Sequence, residues 1–168
     1  MKDQQICTKL IMLAGPPGVG KSTVAKELSN ALQKSVWLDG DEVWRINPFS
    51  NTPEMKEMAL QNVIHLLRSF EQAGFDYIIL SWVLHQDTII SDIRAALAEF
   101  DLEVDIWALV CDEDELERRI IHDQAKSRDT GLAKDRLHQV RELSSATLID
   151  TTNKAISSVV QEILAGIS

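Results

Sequence analysis

The sequence predicts an α/β fold built on a five-stranded parallel sheet with helices on both faces. Three observations predict it. Five short apolar runs alternate with segments whose apolar residues recur at helical spacing. The first run passes through a glycine-rich loop directly into a helical pattern, the strand-to-helix junction typical of such sheets. The 168 residues contain no internal repeat, low-complexity tract or interdomain linker, so one domain over 1–168 is expected, large enough to bury a full core.

Each element has its own signature. Residues 9–14 end in Leu10-Ile11-Met12-Leu13-Ala14, the continuous apolar run of a strand covered on both faces. Val24, Ala25, Leu28, Ala31 and Leu32 then mark a half-buried helix over 20–33. Ser35-Val36-Trp37-Leu38 is the second strand, ending at Asp39. Thr52 can cap the next helix, with Pro53 at its first position. Met55, Met58, Ala59, Val63, Leu66, Leu67 and Phe70 form its buried stripe, and Gly74 stops it. Tyr77-Ile78-Ile79-Leu80 is the third strand, followed by a helix over 86–99 with Ile89, Ile90, Ile93 and Leu97 on one side. Val104 to Val110 is the fourth strand, and Asp112 opens an acidic turn, favourable at a helix N-terminus. Ala146 to Ile149 is a short fifth strand, and Ile156, Val159, Val160, Ile163 and Leu164 line a closing helix.

The loop after the first strand carries the chemistry. Gly15-Pro16-Pro17-Gly18-Val19-Gly20-Lys21-Ser22 fits G-x-x-x-x-G-K-[ST], and Thr23 follows. The glycines let the backbone approach a phosphate closely, and successive N–H groups form a nest for its oxygens. Lys21 brings a mobile cation to the outer phosphates, and the Ser22 hydroxyl suits Mg²⁺. The helix that follows points its positive end at the same anion. ATP with Mg²⁺, held through Gly15 to Thr23, is the expected ligand.

Ligands of such sheets bind beyond the carboxyl ends of the strands. That rule gathers two further constellations around the loop. At the end of the second strand stands Leu38-Asp39-Gly40-Asp41-Glu42-Val43-Trp44-Arg45. A carboxylate there can orient and deprotonate an acceptor hydroxyl or hold Mg²⁺ through water, and Asp41 is preferred to Asp39 as the base. Arg45 can pair with an anionic group on the acceptor. The bland alternative is a solvated turn with Asp41 capping a helix. After the third strand, Ser81-Trp82-Val83-Leu84-His85 offers Trp82 for stacking and His85 for hydrogen bonding in an acceptor pocket, unless both are simply packed. The third constellation is basic: Arg118, Arg119, Lys126, Arg128, Lys134, Arg136 and Arg141. A lid over about 122–135, with Ser127-Arg128-Asp129-Thr130-Gly131 as its tip, would bring arginine to the transferring phosphoryl group. Nearby Asp114, Glu115, Glu117, Asp123 and Asp135 allow a plain ion-paired helix face instead. Arg119 and Arg128 are the two assigned to function.

With these residues in place, the chain resembles the P-loop small-molecule and nucleotide kinases, among them shikimate, gluconate and adenylylsulfate kinases, chloramphenicol phosphotransferase and adenylate-kinase-like enzymes. The resemblance implies a P-loop NTPase three-layer α/β/α fold with strand order 2-3-1-4-5. Leu38-Asp39-Gly40-Asp41 is similar to the adenylylsulfate kinase motif, but Glu42-Val43-Trp44-Arg45 puts the arginine one residue late, and no substrate is assigned from it. Leu116-Glu117-Arg118-Arg119-Ile120 resembles the segment whose arginine lies against adenine, which implies that role for Arg119. Arg128 falls where lid arginines lie, and Ile149-Asp150-Thr151-Thr152 resembles the turn near the nucleotide base. One departure stands out: Ser81 occupies the third-strand position where many P-loop enzymes place the aspartate of the Mg²⁺ water shell. The metal then depends on Ser22 with Asp39 or Asp41.

Bulk properties bound the alternatives. A formal charge of −9 argues against nucleic acid as partner. Two cysteines, Cys7 and Cys111, make no disulfide framework, and reduced thiols in the cytoplasm are expected. No stretch has the length or apolarity of a signal peptide or membrane span. His65, His122 and His138 lack ligand spacing. A GTPase switch is excluded, since Asn153-Lys154-Ala155-Ile156 lacks the closing aspartate of the guanine motif. A regulatory or mechanical ATPase, suggested by Ala108 to Glu113, and an ATP-binding protein without an acceptor are the remaining rivals to a kinase with a small-molecule acceptor. No stripe of residues specifies an oligomeric state.

Overall fold

The computed structural model describes residues 7–123 and 129–167. In chain order the elements are β1 (Thr8–Ala14), α1 (Lys21–Ala31), β2 (Ser35–Asp39), a 3-10 turn (Glu42–Trp44), α2 (Pro53–Gln72), β3 (Tyr77–Ser81), α3 (Asp87–Ala96), β4 (Leu102–Val110), α4 (Glu113–His122), α5 (Thr130–Arg141), β5 (Thr147–Asp150) and α6 (Ile156–Gly166). The five strands form one parallel sheet in the order β2-β3-β1-β4-β5. This is the predicted α/β/α fold and strand order.

The local signals act as their chemistry dictates. Leu10 to Ala14 in the central strand are wholly buried, since α1 and the other helices cover both faces of the sheet. Thr52 caps α2, its side chain accepting from Met55 N–H at 3.4 Å, with Pro53 at the first helical position. Ala59, Val63, Ile64 and Leu67 are the buried face of that helix. Gly74 follows with φ 78°, the left-handed conformation that ends helices. α3 ends at Ala96, earlier than its apolar spacing suggests, because Leu97 has already left helical geometry.

The main difference from expectation lies after α4. Thr130 and Gly131 do not form a loop tip; they are the first residues of α5. Asp129 explains this, its carboxylate accepting from Leu132 N–H at 3.1 Å as a helix cap. Ala133, Leu137 and Val140 then bury one face of α5. The remaining residues of the expected lid, including Lys126 and Arg128, lie outside the described residues.

Parallel register determines what meets at the carboxyl edge. Leu13 and Asp39 are both opposite Ser81, and Val110 is opposite Asp150. The phosphate loop leaves β1 between these two groups of strand ends.

Candidate functional site

The phosphate loop is closed in on its protein side. A Cβ on Gly15 would fall 2.8 Å from Val19 and 2.9 Å from the Leu109 carbonyl. Gly18 has φ 89°, and a Cβ there would fall 2.7 Å from Ile120. Both positions therefore exclude any side chain. Lys21 Nζ folds back over the loop, donating to Gly15 O at 2.9 Å and Pro16 O at 3.0 Å. Gly15 N–H donates to Val83 O at 3.3 Å, tying the loop to the turn after β3.

The Ser22 hydroxyl donates to Asp39 Oδ2 at 2.7 Å. The other oxygen of Asp39 accepts from Asp41 N–H at 3.1 Å, which shapes the turn Asp39-Gly40-Asp41. Asp39 thus faces the phosphate loop. The carboxylate of Asp41 caps nothing: the 3-10 turn begins there without a side-chain bond. Ser81, opposite Asp39 across the ladder, is occupied otherwise, accepting from Trp37 Nε1–H at 2.9 Å. Asp39 therefore stands beside the place where the expected aspartate is absent, and it reaches the loop serine instead.

Two hard oxygen donors at the phosphate loop are a fit for Mg²⁺, which takes one or two protein oxygens and completes its shell with water and phosphate. Among the described residues no three His, Cys, Asp or Glu side chains gather into a metal cage.

The remaining acceptor-side residues separate into two groups. Arg45 is exposed and ion-paired with Glu42. Trp44 turns onto the loop that follows, donating from Nε1 to Ser50 O at 3.1 Å and packing 6.1 Å from the Phe49 ring. Trp82 is buried and lies flat against Gly40, where any Cβ would overlap its indole. His85 is half-buried, with its Nδ1 enclosed and without a hydrogen-bond partner. Burial, together with the charges of Arg136 and Lys56, pushes its pKa down to about 4, so the imidazole is neutral at physiological pH. Leu84 just before it holds φ 39°, an uncommon conformation for a bulky residue and one that aims the turn.

On the other side of the loop, Arg119 acts as a strut. Its guanidinium donates to Val19 O at 3.0 Å, to Thr151 Oγ1 at 3.1 Å and to Thr151 O at 2.8 Å. Its Nε donates to Glu115 at 2.9 Å. One side chain thereby joins the phosphate loop, α4 and the turn after β5. The other described cations of the basic segment are mostly spent: Arg118 pairs with Glu115 at 2.7 Å, Lys134 with Glu117 at 2.8 Å, and Arg141 donates to Cys111 O at 2.8 Å. Arg136 differs, donating at 2.6 Å only to the neutral Gln139 side chain.

Sequence reading missed Lys56 and Arg136 as neighbours of His85, because nothing in the chain links residues on α2 and α5 to the turn after β3. It also missed Asp87, whose carboxylate accepts from the N–H and hydroxyl groups of Ser144 and Ser145 at 2.6–3.2 Å. A cavity of about 580 Å³ lies at the opposite, amino end of the sheet, beside Thr8, Glu71, Asp76 and Asp101. Its carboxylates make it a poor seat for a phosphate.

Solved structures share this architecture. The tunicamycin resistance protein of Deinococcus radiodurans is 22% identical over 96% of each chain, with a TM-score of 0.76. A sugar kinase from Janibacter sp. HTCC2649 is 16% identical over 95% of this chain and 94% of its own, with a TM-score of 0.75. A gluconokinase from Sinorhizobium meliloti 1021 is 17% identical over 96% of this chain and 92% of its own, with a TM-score of 0.73. At such identities the likeness is one of fold, and the fold is that of P-loop kinases. No curated protein matches the chain. Residues 11–144, which contain the phosphate loop, the Asp39–Ser22 contact and the Arg119 strut, match the family model described as an AAA domain, and the chain belongs to that family of P-loop proteins.

Proposed function

We propose that the protein is a kinase that transfers the γ-phosphoryl group of ATP to a hydroxyl of a small molecule or nucleotide, the whole chain serving as one domain. The observation that carries this reading is the 2.7 Å bond from Ser22 to Asp39. It sets the carboxyl end of β2 against the phosphate loop, so donor and acceptor can meet in line at one edge of the sheet. A loop built only to bind or hydrolyse nucleotide has no need of a second carboxylate two residues on, exposed and uncommitted, as Asp41 is.

The residues divide the work. The backbone of Gly15 to Thr23 cradles the phosphates, and Lys21 moves from the carbonyls of Gly15 and Pro16 to their outer oxygens. Ser22 and Asp39 would hold Mg²⁺, directly or through its water. Bound there, the metal neutralises charge on the β- and γ-oxygens. Arg119 braces the wall on the base side. Asp41 receives the acceptor's proton as its oxygen bonds to the γ-phosphorus. The bond from that phosphorus to the β,γ-bridging oxygen breaks, and ADP leaves with the electron pair. Trp82 and His85 border the acceptor, with Trp44 and Arg45 at its outer rim.

The test is transfer from γ-labelled ATP across a panel of hydroxylated compounds. Asp41→Asn keeps the shape and removes the base, so transfer should fall by roughly 10²-fold or more, with ATP binding retained. Near wild-type transfer by Asp41→Asn would move the base role to Asp39. Steady ATP hydrolysis with no labelled product from any acceptor would favour an ATPase.

A further inference from the structure

The cleft has a charge pattern that the chain as a whole does not. The protein carries a formal charge of −9, yet the charged groups that act on His85 are both cations, Arg136 from α5 and Lys56 from the first turns of α2. No carboxylate offsets them at that point. Asp87, two residues along, has its oxygens taken by Ser144 and Ser145. Arg136 donates only to an uncharged amide, although carboxylates compensate Arg118, Arg119 and Lys134 on the same stretch. Arg45, the cation that the sequence offers for an anionic substrate group, is already paired with Glu42.

His85 adds a polar group of defined polarity. With Nδ1 enclosed and unpartnered, the ring has only Nε2 for hydrogen bonding, and a neutral ring that protonates Nε2 presents a donor. The strained turn at Leu84 holds this ring at the carboxyl edge of β3, beside the loop that Val83 anchors to Gly15. Two uncompensated cations and an N–H donor at a sheet edge suit an oxyanion.

We propose that the acceptor carries an oxyanion, a carboxylate, sulfate or phosphate ester, seated by Arg136 and Lys56 beside His85 while its hydroxyl meets Asp41. This deepens the kinase reading and rests on it for the identity of the bound molecule as acceptor. Arg136 supplies a planar fork for two oxygens and Lys56 a mobile point charge, so both act on substrate affinity rather than on the chemistry at phosphorus.

Two measurements separate the proposals. In the first, protein saturated with Mg²⁺ and the non-hydrolysable analogue AMP-PNP, so that the phosphate loop is filled, is titrated with sodium sulfate and followed through the His85 ring resonances. A saturable shift is expected, weakened roughly tenfold or more in Arg136→Gln, as for loss of a charge-assisted bond, and partly restored in Arg136→Lys. The AMP-PNP affinity of these variants should match wild type. No saturable shift, or equal sulfate affinity in both Arg136→Gln and Lys56→Gln, overturns the oxyanion site. In the second, transfer is compared for matched alcohols with and without the anion, such as gluconate against sorbitol and glycerol 3-phosphate against glycerol. A higher kcat/KM for the anionic member, lost in Arg136→Gln through KM, supports the proposal. Equal use of both members overturns it and leaves the kinase reading standing, whereas transfer to none of them with the sulfate site intact counts against the kinase reading alone.

Discussion

At Gly40 a β-carbon would collide with the indole of Trp82, so the turn from β2 and the turn from β3 can touch only because this residue has no side chain. Gly40→Ala must push the ring or the turn away, and a cost of about 1–3 kcal/mol is expected, as for other overpacking changes. Urea denaturation measures it, and transfer should fall in the same variant because Asp39 and Asp41 flank the shifted residue. The two aspartates themselves should part company in their kinetics. Asp39 is bonded to Ser22, so Asp39→Asn should raise the Mg²⁺ concentration needed for half-maximal rate. Asp41→Asn should lower the maximal rate with the Mg²⁺ requirement little changed. A titration of rate against Mg²⁺ for both variants checks this, and identical profiles would show that the two carboxylates share one role. Lys21→Ala should abolish transfer while leaving the far-ultraviolet circular dichroism unchanged.

Helices here are held to the sheet by side-chain ties as well as by apolar faces. The N-terminal turn of α3 is fastened to the segment between α5 and β5 by Asp87, whose four hydrogen bonds with Ser144 and Ser145 hold its carboxyl well below the usual range, at about 2. The unfolded chain restores an ordinary aspartate near pH 3.9, so between those values the unfolded state binds more protons than the folded one. The contribution of the tie is therefore complete above about pH 4 and disappears as pH falls toward about 2. Asp87→Asn should destabilise the protein at pH 7 and much less at pH 2.5, a difference that thermal melts of both proteins at the two pH values can read. The strut from α4 is the second such tie. Arg119→Ala would release both Val19 O and Thr151 O, so weaker ATP binding is expected, with a smaller change in kcat, in steady-state kinetics.

In the whole molecule, the parallel sheet concentrates the chemistry at one edge. Its carboxyl end gathers the phosphate loop, Asp39, His85 and the Thr151 turn, while the amino end holds an acidic hollow around Glu71, Asp76 and Asp101. No helix among the described residues is long and apolar enough to cross a membrane. A ligand that binds only the folded state stabilises it by mass action, about 2.7 kcal/mol when present at 100 times its Kd. ATP with Mg²⁺ at that ratio should raise the melting temperature, and chelation of the metal or the Lys21→Ala change should remove most of the increase. Scanning calorimetry measures it. An equal increase with and without Mg²⁺ would argue against Ser22 and Asp39 as the metal's seat.

Local chemistry was enough for much of this. The glycine positions, the lysine and the serine of the phosphate loop follow one another in the chain, and their task depends on backbone conformations that neighbouring residues dictate. The strands were legible because burial on both faces demands continuous apolar runs, and α2 because its cap, proline and stop signal lie within its own turns. Helix α5 was harder, since its start depends on one aspartate cap within a segment of mixed charge. What only the tertiary structure decided is which distant groups meet. Parallel register set Asp39 against Ser81, freeing it to reach Ser22. The packing of α2 and α5 brought Lys56 and Arg136 to His85. Charges act through space and not along the chain, so no spacing in the sequence could announce that two helices would turn an acidic protein's cleft positive.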